Sequence, residues 1–69
     1  MSEKPPEDRV RQLLLSGDNT LKNRSGPESV ARARAKYEQA REIAAEAKID
    51  GALRIIDARL ADLLEGVGG

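Results

Sequence analysis

The sequence predicts an all-α fold of three antiparallel helices, and three observations support this. The 69 residues include ten Ala, eight Arg and four Lys, all good helix formers, but only three Val, one Tyr and no Phe or Trp. Apolar residues recur at steps of three and four in three stretches, which the turn segments 23–27 and 48–51 separate. Short connections place consecutive helices side by side in opposite directions, and a chain of this length makes one domain.

The first helix is predicted to run from Pro6 to about residue 23, after a flexible tail over residues 1–5. The apolar or small residues of its inner face are Val10, Leu13, Leu14, Gly17 and Leu21. Gly17 has two interpretations: it ends the helix early as a C-terminal cap, or it is a small residue at which another helix packs closely. Because Leu21 continues the same face, the sequence favours close packing.

The second and third helices are predicted from the same periodicity. Helix two begins near Pro27, and its inner face consists of Val30, Ala33, Tyr37, Ala40, Ala44 and Ala47. An alanine face lets neighbouring helices approach closely but buries little area, so Tyr37, the only aromatic residue, is its large member. Helix three carries Leu53, Ile56, Leu60 and Leu63 and ends near Glu65. The domain therefore spans residues 6–65, with a flexible tail over 66–69.

Composition argues against catalysis. The chain has no Cys and no His, so it lacks thiolate ligands and the commonest general base and metal ligand. Ser16 and Asp18 flank a glycine without a base to activate the serine, and Glu38, Glu42 and Glu46 share a helix face without converging ligands. We therefore predict no enzyme, no catalytic or cofactor-binding residue, no metal site and no small-molecule substrate.

Charge and hydropathy bear on location. Twelve basic and twelve acidic residues cancel, and the longest apolar run, Leu13–Leu15, is far shorter than the roughly 20 residues that span a bilayer. The first residues lack the apolar stretch of a signal peptide. These features predict a cytoplasmic protein that does not bind membranes, and the excess of Arg and Ala indicates a GC-rich bacterial genome.

Helix two resembles the second helix of a tetratricopeptide repeat. That family has a small residue, an aromatic four positions later and another small residue three further on, here Ala33, Tyr37 and Ala40. Leu13 and Gly17 match the large and small residues of the repeat's first helix, whereas Thr20 stands where the family usually has an aromatic residue or Leu. The three-helix outline is also similar to microtubule-interacting-and-transport domains. The resemblance implies a helical hairpin with a closing helix, structural roles for Gly17, Ala33, Tyr37 and Ala40, and peptide or helix binding in a groove.

Some apolar residues lie outside the predicted inner faces. Leu15, Ile55 and Leu64 lie beside them, which means either that the faces are wide or that these residues contact a partner or a second copy. The segment 22–36 is basic, and we expect Arg32, Arg34 and Lys36 to steer an acidic partner. The sequence predicts a non-catalytic protein–protein interaction module: an adaptor, a regulatory subunit or a self-associating unit. The alternative is a nucleic-acid-associated accessory protein that uses the basic segment.

Charged residues at helix-surface spacing also predict ion pairs within helices. The pairs are Arg34 with Glu38, Glu38 with Arg41, Arg54 with Asp57, and Arg59 with Asp62. Each pair stabilises an isolated helix by roughly 0.2–0.5 kcal/mol.

Overall fold

The computed structural model describes residues 5–23 and 26–68, with side chains up to Leu63. It contains three helices: α1 over Pro6–Asn23, α2 over Pro27–Ala47 and α3 over Asp50–Gly68. The described residues include no strand, so the predicted all-α class is confirmed. The third helix was predicted to end near Glu65, and in the structure it continues to Gly68.

Helix α1 is continuous through Gly17, which decides between the two interpretations of that residue. Gly17 is buried, and the ring of Tyr37 from α2 lies directly over it. A Cβ atom built on Gly17 would lie 2.6 Å from Cε1 of Tyr37, closer than side-chain carbons approach one another. Gly17 is therefore the small residue at which α2 packs closely, as the continuing apolar face indicated.

Helix α2 ends in a tight turn that leads directly into α3. Lys48 adopts a left-handed conformation (φ 58°, ψ 43°), which is uncommon for a residue other than glycine. Its amide donates to the carbonyl of Ala45, and the amide of Ile49 donates to that of Ala44 at 2.9 Å. This pair of bonds is a Schellman motif. The carbonyl of Ile49 then accepts a bond from Leu53, so the first turn of α3 follows at once.

Helix α2 lies between its two neighbours. It contacts α1 and α3 extensively, whereas α1 and α3 contact each other little. The buried core is made mostly of the predicted inner faces: Val10, Ala33, Tyr37, Ala40, Ala44, Ile56 and Leu63, with Leu13, Leu14, Leu21, Leu53 and Leu60 packed against it. Ala33 and Ala40 are completely buried. The small alanines let the helices approach α2 closely, and Tyr37 fills the space that remains.

The pairing of residues shows how the helices run past one another. Arg9 and Gln12 share a surface groove with Glu42 and Ile43, whereas Thr20 shares one with Ser29 and Arg32. On the other side of α2, Tyr37 is close to Arg59, and Arg41 bonds Asp57. On both sides of α2, as the residue number rises along one helix, the number of its neighbour on the next helix falls. That order is the one antiparallel neighbours produce.

Candidate interaction surface

A cluster of three polar side chains joins the three helices at the level of Gly17. Asp18 of α1 accepts hydrogen bonds from Arg59 of α3, with Nε–Oδ1 and Nη2–Oδ2 distances of 3.1 Å. The Tyr37 hydroxyl of α2 donates to Asp18 Oδ1 at 2.5 Å. A guanidinium that donates through two nitrogens to one carboxylate is the best-defined geometry for an ion pair. The cluster therefore fixes which turn of α1 lies beside which turn of α3.

Burial differs within this cluster. Tyr37 is only 1% exposed, whereas the side chains of Asp18 and Arg59 are each 37% exposed. The phenol thus reaches from the core towards the surface, and the ion pair lies at the edge where α1 approaches α3. A pair this exposed is partly screened by water, so it stabilises the fold less than its geometry alone would suggest.

The cluster also changes how its members titrate. The hydrogen bond from Arg59 holds the pKa of the Asp18 carboxyl below its ordinary value of 3.8, and the Tyr37 hydroxyl adds to this. Burial, followed by the hydrogen bond to Asp18, raises the pKa of Tyr37 to about 12. Bonding to Asp18 likewise raises the pKa of Arg59. At neutral pH the cluster therefore holds one carboxylate, one guanidinium and one neutral phenol, and none is prepared to transfer a proton.

Two large apolar side chains are exposed beside the cluster. Leu15 is 55% exposed and Ile55 is 48% exposed. Leu15 lies three residues before Asp18 on α1, and Ile55 lies four residues before Arg59 on α3. Residues three or four apart share a helix face, so each apolar side chain lies one turn before one member of the ion pair. The order of the contacts along the three helices, with Asp18 bonded to Arg59, places Leu15 and Ile55 at about the same level.

The three predicted cationic residues do not form one patch. Lys36 donates to the hydroxyl of Ser16 on α1, and Arg32 lines the groove that contains Thr20. Arg34, in contrast, bonds Glu38 within α2 with a 3.3 Å Nε–Oε2 distance. The structure therefore places Arg32 and Lys36 on the flank of α2 that faces α1, and it engages Lys36 within the molecule. The side chain of Leu64, the third predicted apolar contact, lies outside the described residues.

The ion pairs predicted within helices are confirmed only in part. Arg34 and Glu38 form the expected bond, but Arg41 bonds Asp57 of α3 at 2.9 Å, and Arg59 bonds Asp18 of α1. Sequence spacing shows which residues are neighbours on one helix, whereas pairs between helices depend on packing distances that it does not contain. The unusual position of Asp18, beside a glycine of the inner face, is the one signal that could have indicated the cluster.

No group of three or more carboxylates among the described residues is arranged to hold a metal ion. None of the helices, over the part of the chain that the structure describes, is long and apolar enough to cross a membrane.

Comparisons with protein families, with curated proteins and with solved structures found no match to this chain.

Proposed function

We propose that this chain is a non-catalytic protein–protein interaction module, similar to a tetratricopeptide-type hairpin with a closing helix, and that it binds through the surface where α1 meets α3. The observation that supports this proposal is the exposure of Leu15 and Ile55 at one level, beside an ion pair that holds α1 and α3 together. We call this surface, consisting of Leu15, Asp18, Ile55 and Arg59, the α1–α3 face.

The properties of the α1–α3 face suit recognition. Its apolar side chains gain free energy when they leave water, roughly 1.5–3 kcal/mol for each fully buried one. Its ion pair supplies fixed donors and acceptors that reject partners without complementary groups. Because Arg59 is bound through two nitrogens and Tyr37 supports Asp18 from the core, the face is ordered before a partner arrives, which lowers the entropic cost of binding.

The polar cluster favours this function over catalysis. The pKa values of its phenol and guanidinium are both raised, so neither group titrates near neutral pH. The hydroxyl of Ser16 accepts a bond from the Lys36 ammonium. Arg34 bonds Glu38 and Lys36 bonds Ser16, which gives the nucleic-acid alternative less support, because phosphate binding requires cations that act together on the nucleic acid.

The test compares a variant of the α1–α3 face with a matched control. The variant is Leu15→Ser with Ile55→Ser, and the control is Ala35→Ser with Ala45→Ser on the exposed outer side of α2. Each tagged protein is used to capture binding proteins from the cells that carry the gene, and its self-association is measured by sedimentation. We expect wild type and control to bind the same partner, which is either another protein or a second copy of this chain. We expect the Leu15→Ser, Ile55→Ser variant to lose that binding.

Circular dichroism melting of all three proteins shows whether the substitutions leave the fold intact. The proposal is overturned if wild type neither captures a protein nor self-associates. It is equally overturned if the folded variant binds as well as the control does.

A further inference from the structure

The α1–α3 face has two matching rows of side chains. On α1, Leu15 lies three residues before Asp18, and Lys22 lies four residues after it. On α3, Ile55 lies four residues before Arg59, and Asp62 lies three residues after it. Both rows therefore span two helical turns, with an apolar residue at the first turn and one member of the ion pair at the second.

The charges in the two rows are opposite at each charged turn. Asp18 of α1 is bonded to Arg59 of α3, which holds the rows beside each other in register. One turn further on, Lys22 of α1 is at the level of Asp62 of α3, and both residues are exposed. Neither Lys22 nor Asp62 forms a salt bridge with another residue that the structure describes. The α1 row is thus apolar, negative, positive, and the α3 row is apolar, positive, negative.

We infer that the partner of the α1–α3 face is a second copy of this chain, related by a twofold axis that runs along the helices. This inference rests on the proposed function. Such an axis sets the α1 row of one copy against the α3 row of the other, and the reverse contact follows by symmetry. Leu15 then packs on Ile55 of the partner subunit, and Lys22 faces Asp62 of the partner subunit.

The twofold axis also places the two ion pairs against each other in a favourable order. Asp18 of one copy faces Arg59 of the partner subunit, so the half-exposed pairs form a group of four alternating charges. A twofold axis across the helices, centred on the ion pair, would instead set Leu15 against Lys22 of the partner subunit. That arrangement buries a charge against an apolar side chain and is disfavoured. Charge and hydropathy therefore select the axis along the helices.

The test uses charge reversal at the two ends of the rows. In the proposed dimer, Lys22→Glu places a glutamate against Asp62 at two symmetric positions, and Asp62→Lys places a lysine against Lys22 at two positions. We expect each variant alone to raise the dimer dissociation constant about tenfold or more. When the two variants are mixed, every position in the mixed dimer again pairs opposite charges, so association returns to the wild-type level.

The measurement is sedimentation equilibrium at concentrations from about 10 μM to about 1 mM, a range suited to a small interface. Native mass spectrometry of the equimolar mixture, with one variant isotope-labelled, counts mixed and unmixed dimers. We expect mixed dimers to predominate in the mixture, and raising the salt concentration to weaken wild-type association. Equal melting temperatures at a concentration where all the proteins are monomeric show that the reversals act on association and not on the fold.

The outcomes separate this inference from the proposed function. If the wild-type chain stays monomeric but Leu15→Ser with Ile55→Ser abolishes capture of another protein, the inference that the partner is a second copy is wrong. The proposed interaction module then still stands. A wild-type dimer whose variants do not recover on mixing overturns the proposed axis. A monomeric chain that captures nothing overturns both.

Discussion

Helix α1 packs against α2 at a glycine, Gly17, and bonds α3 through a carboxylate, that of Asp18. At the first contact, Gly17 lies so close under the ring of Tyr37 that a methyl group would not fit. At the second, Asp18 accepts bonds from Arg59 across a half-exposed edge. Close packing sets how far apart two helices lie and supplies most of the stability, whereas a two-nitrogen ion pair sets which turns face each other. Neighbouring residues of one helix thus serve two different purposes.

The largest expected effect comes from removing the side chain that both contacts share. Tyr37→Ala leaves a cavity in the core and should lower the free energy of unfolding by about 3–5 kcal/mol. Tyr37→Phe keeps the ring over Gly17 and removes only the hydroxyl that bonds Asp18, so we expect a loss of about 1 kcal/mol. Urea denaturation measures both. An unchanged stability in Tyr37→Ala would mean that the tyrosine is not in the core, and the tetratricopeptide resemblance would lose its basis.

The close contact can be tested without touching Tyr37. Gly17→Val places carbon atoms where the ring lies, and we expect a loss of about 2 kcal/mol in unfolding free energy, despite the better helix propensity of valine. Gly51→Ala is the control, because a Cβ atom at that position has nothing within 4 Å. It should stabilise the protein by up to about 1 kcal/mol. If both substitutions stabilise, the distance between α1 and α2 is not set at Gly17.

The polar contact should have a smaller effect and depend on pH. A double-mutant cycle with Asp18→Asn and Arg59→Met should give a coupling free energy of about 1 kcal/mol at neutral pH, since the pair is partly exposed. Asp18 has a lower pKa in the folded than in the unfolded chain, so its contribution is present above 3.8 and is lost as the pH falls through the folded value. Wild type should therefore lose more stability on acidification than Asp18→Asn does. Equal losses would show that the carboxylate is not stabilised.

The smallest effect concerns the link between α2 and α3, far from either contact. Lys48→Gly removes the strain of a left-handed conformation but makes the unfolded chain more flexible, so we expect a net gain of about 0.5 kcal/mol. Thermal melting detects this as a small upward shift. Lys48→Ala keeps the strain and should give no gain.

Much of the fold could be predicted from the sequence, because it depends on periodicity within helices. The inner faces around Val10, Ala33 and Ile56 follow from spacing alone. The starts of the first two helices at Pro6 and Pro27 follow from the preference of proline for the first turn of a helix. The end of α3 was harder to predict, because Gly66 and Gly68 read as breaks although the helix continues through them. Helix ends depend on weak local preferences, whereas a buried face reflects many residues together.

The candidate site was only partly predictable. Leu15 and Ile55 were identified as residues outside the inner faces, and the structure shows both exposed. The Asp18–Arg59 pair was not predicted, since nothing in the spacing of either helix connects α1 with α3. The basic residues were grouped because they are close in sequence, but Arg32 and Lys36 share one flank of α2, whereas Arg34, two residues from each, bonds Glu38 instead. Contacts between helices require a packing geometry that one-dimensional patterns do not carry.

Asp18 and Arg59 are 41 positions apart in the chain, while most contacts of α1 are with the adjacent helix. Bringing distant positions together requires closing a long loop, which is entropically costly until the intervening helices have formed. We therefore expect the α1–α2 hairpin to form first and α3 to dock afterwards, with the ion pair absent from the folding transition state. Breaking the pair should then accelerate unfolding and leave the folding rate almost unchanged. The feature that aligns the proposed interaction surface would thus govern how long each molecule stays folded.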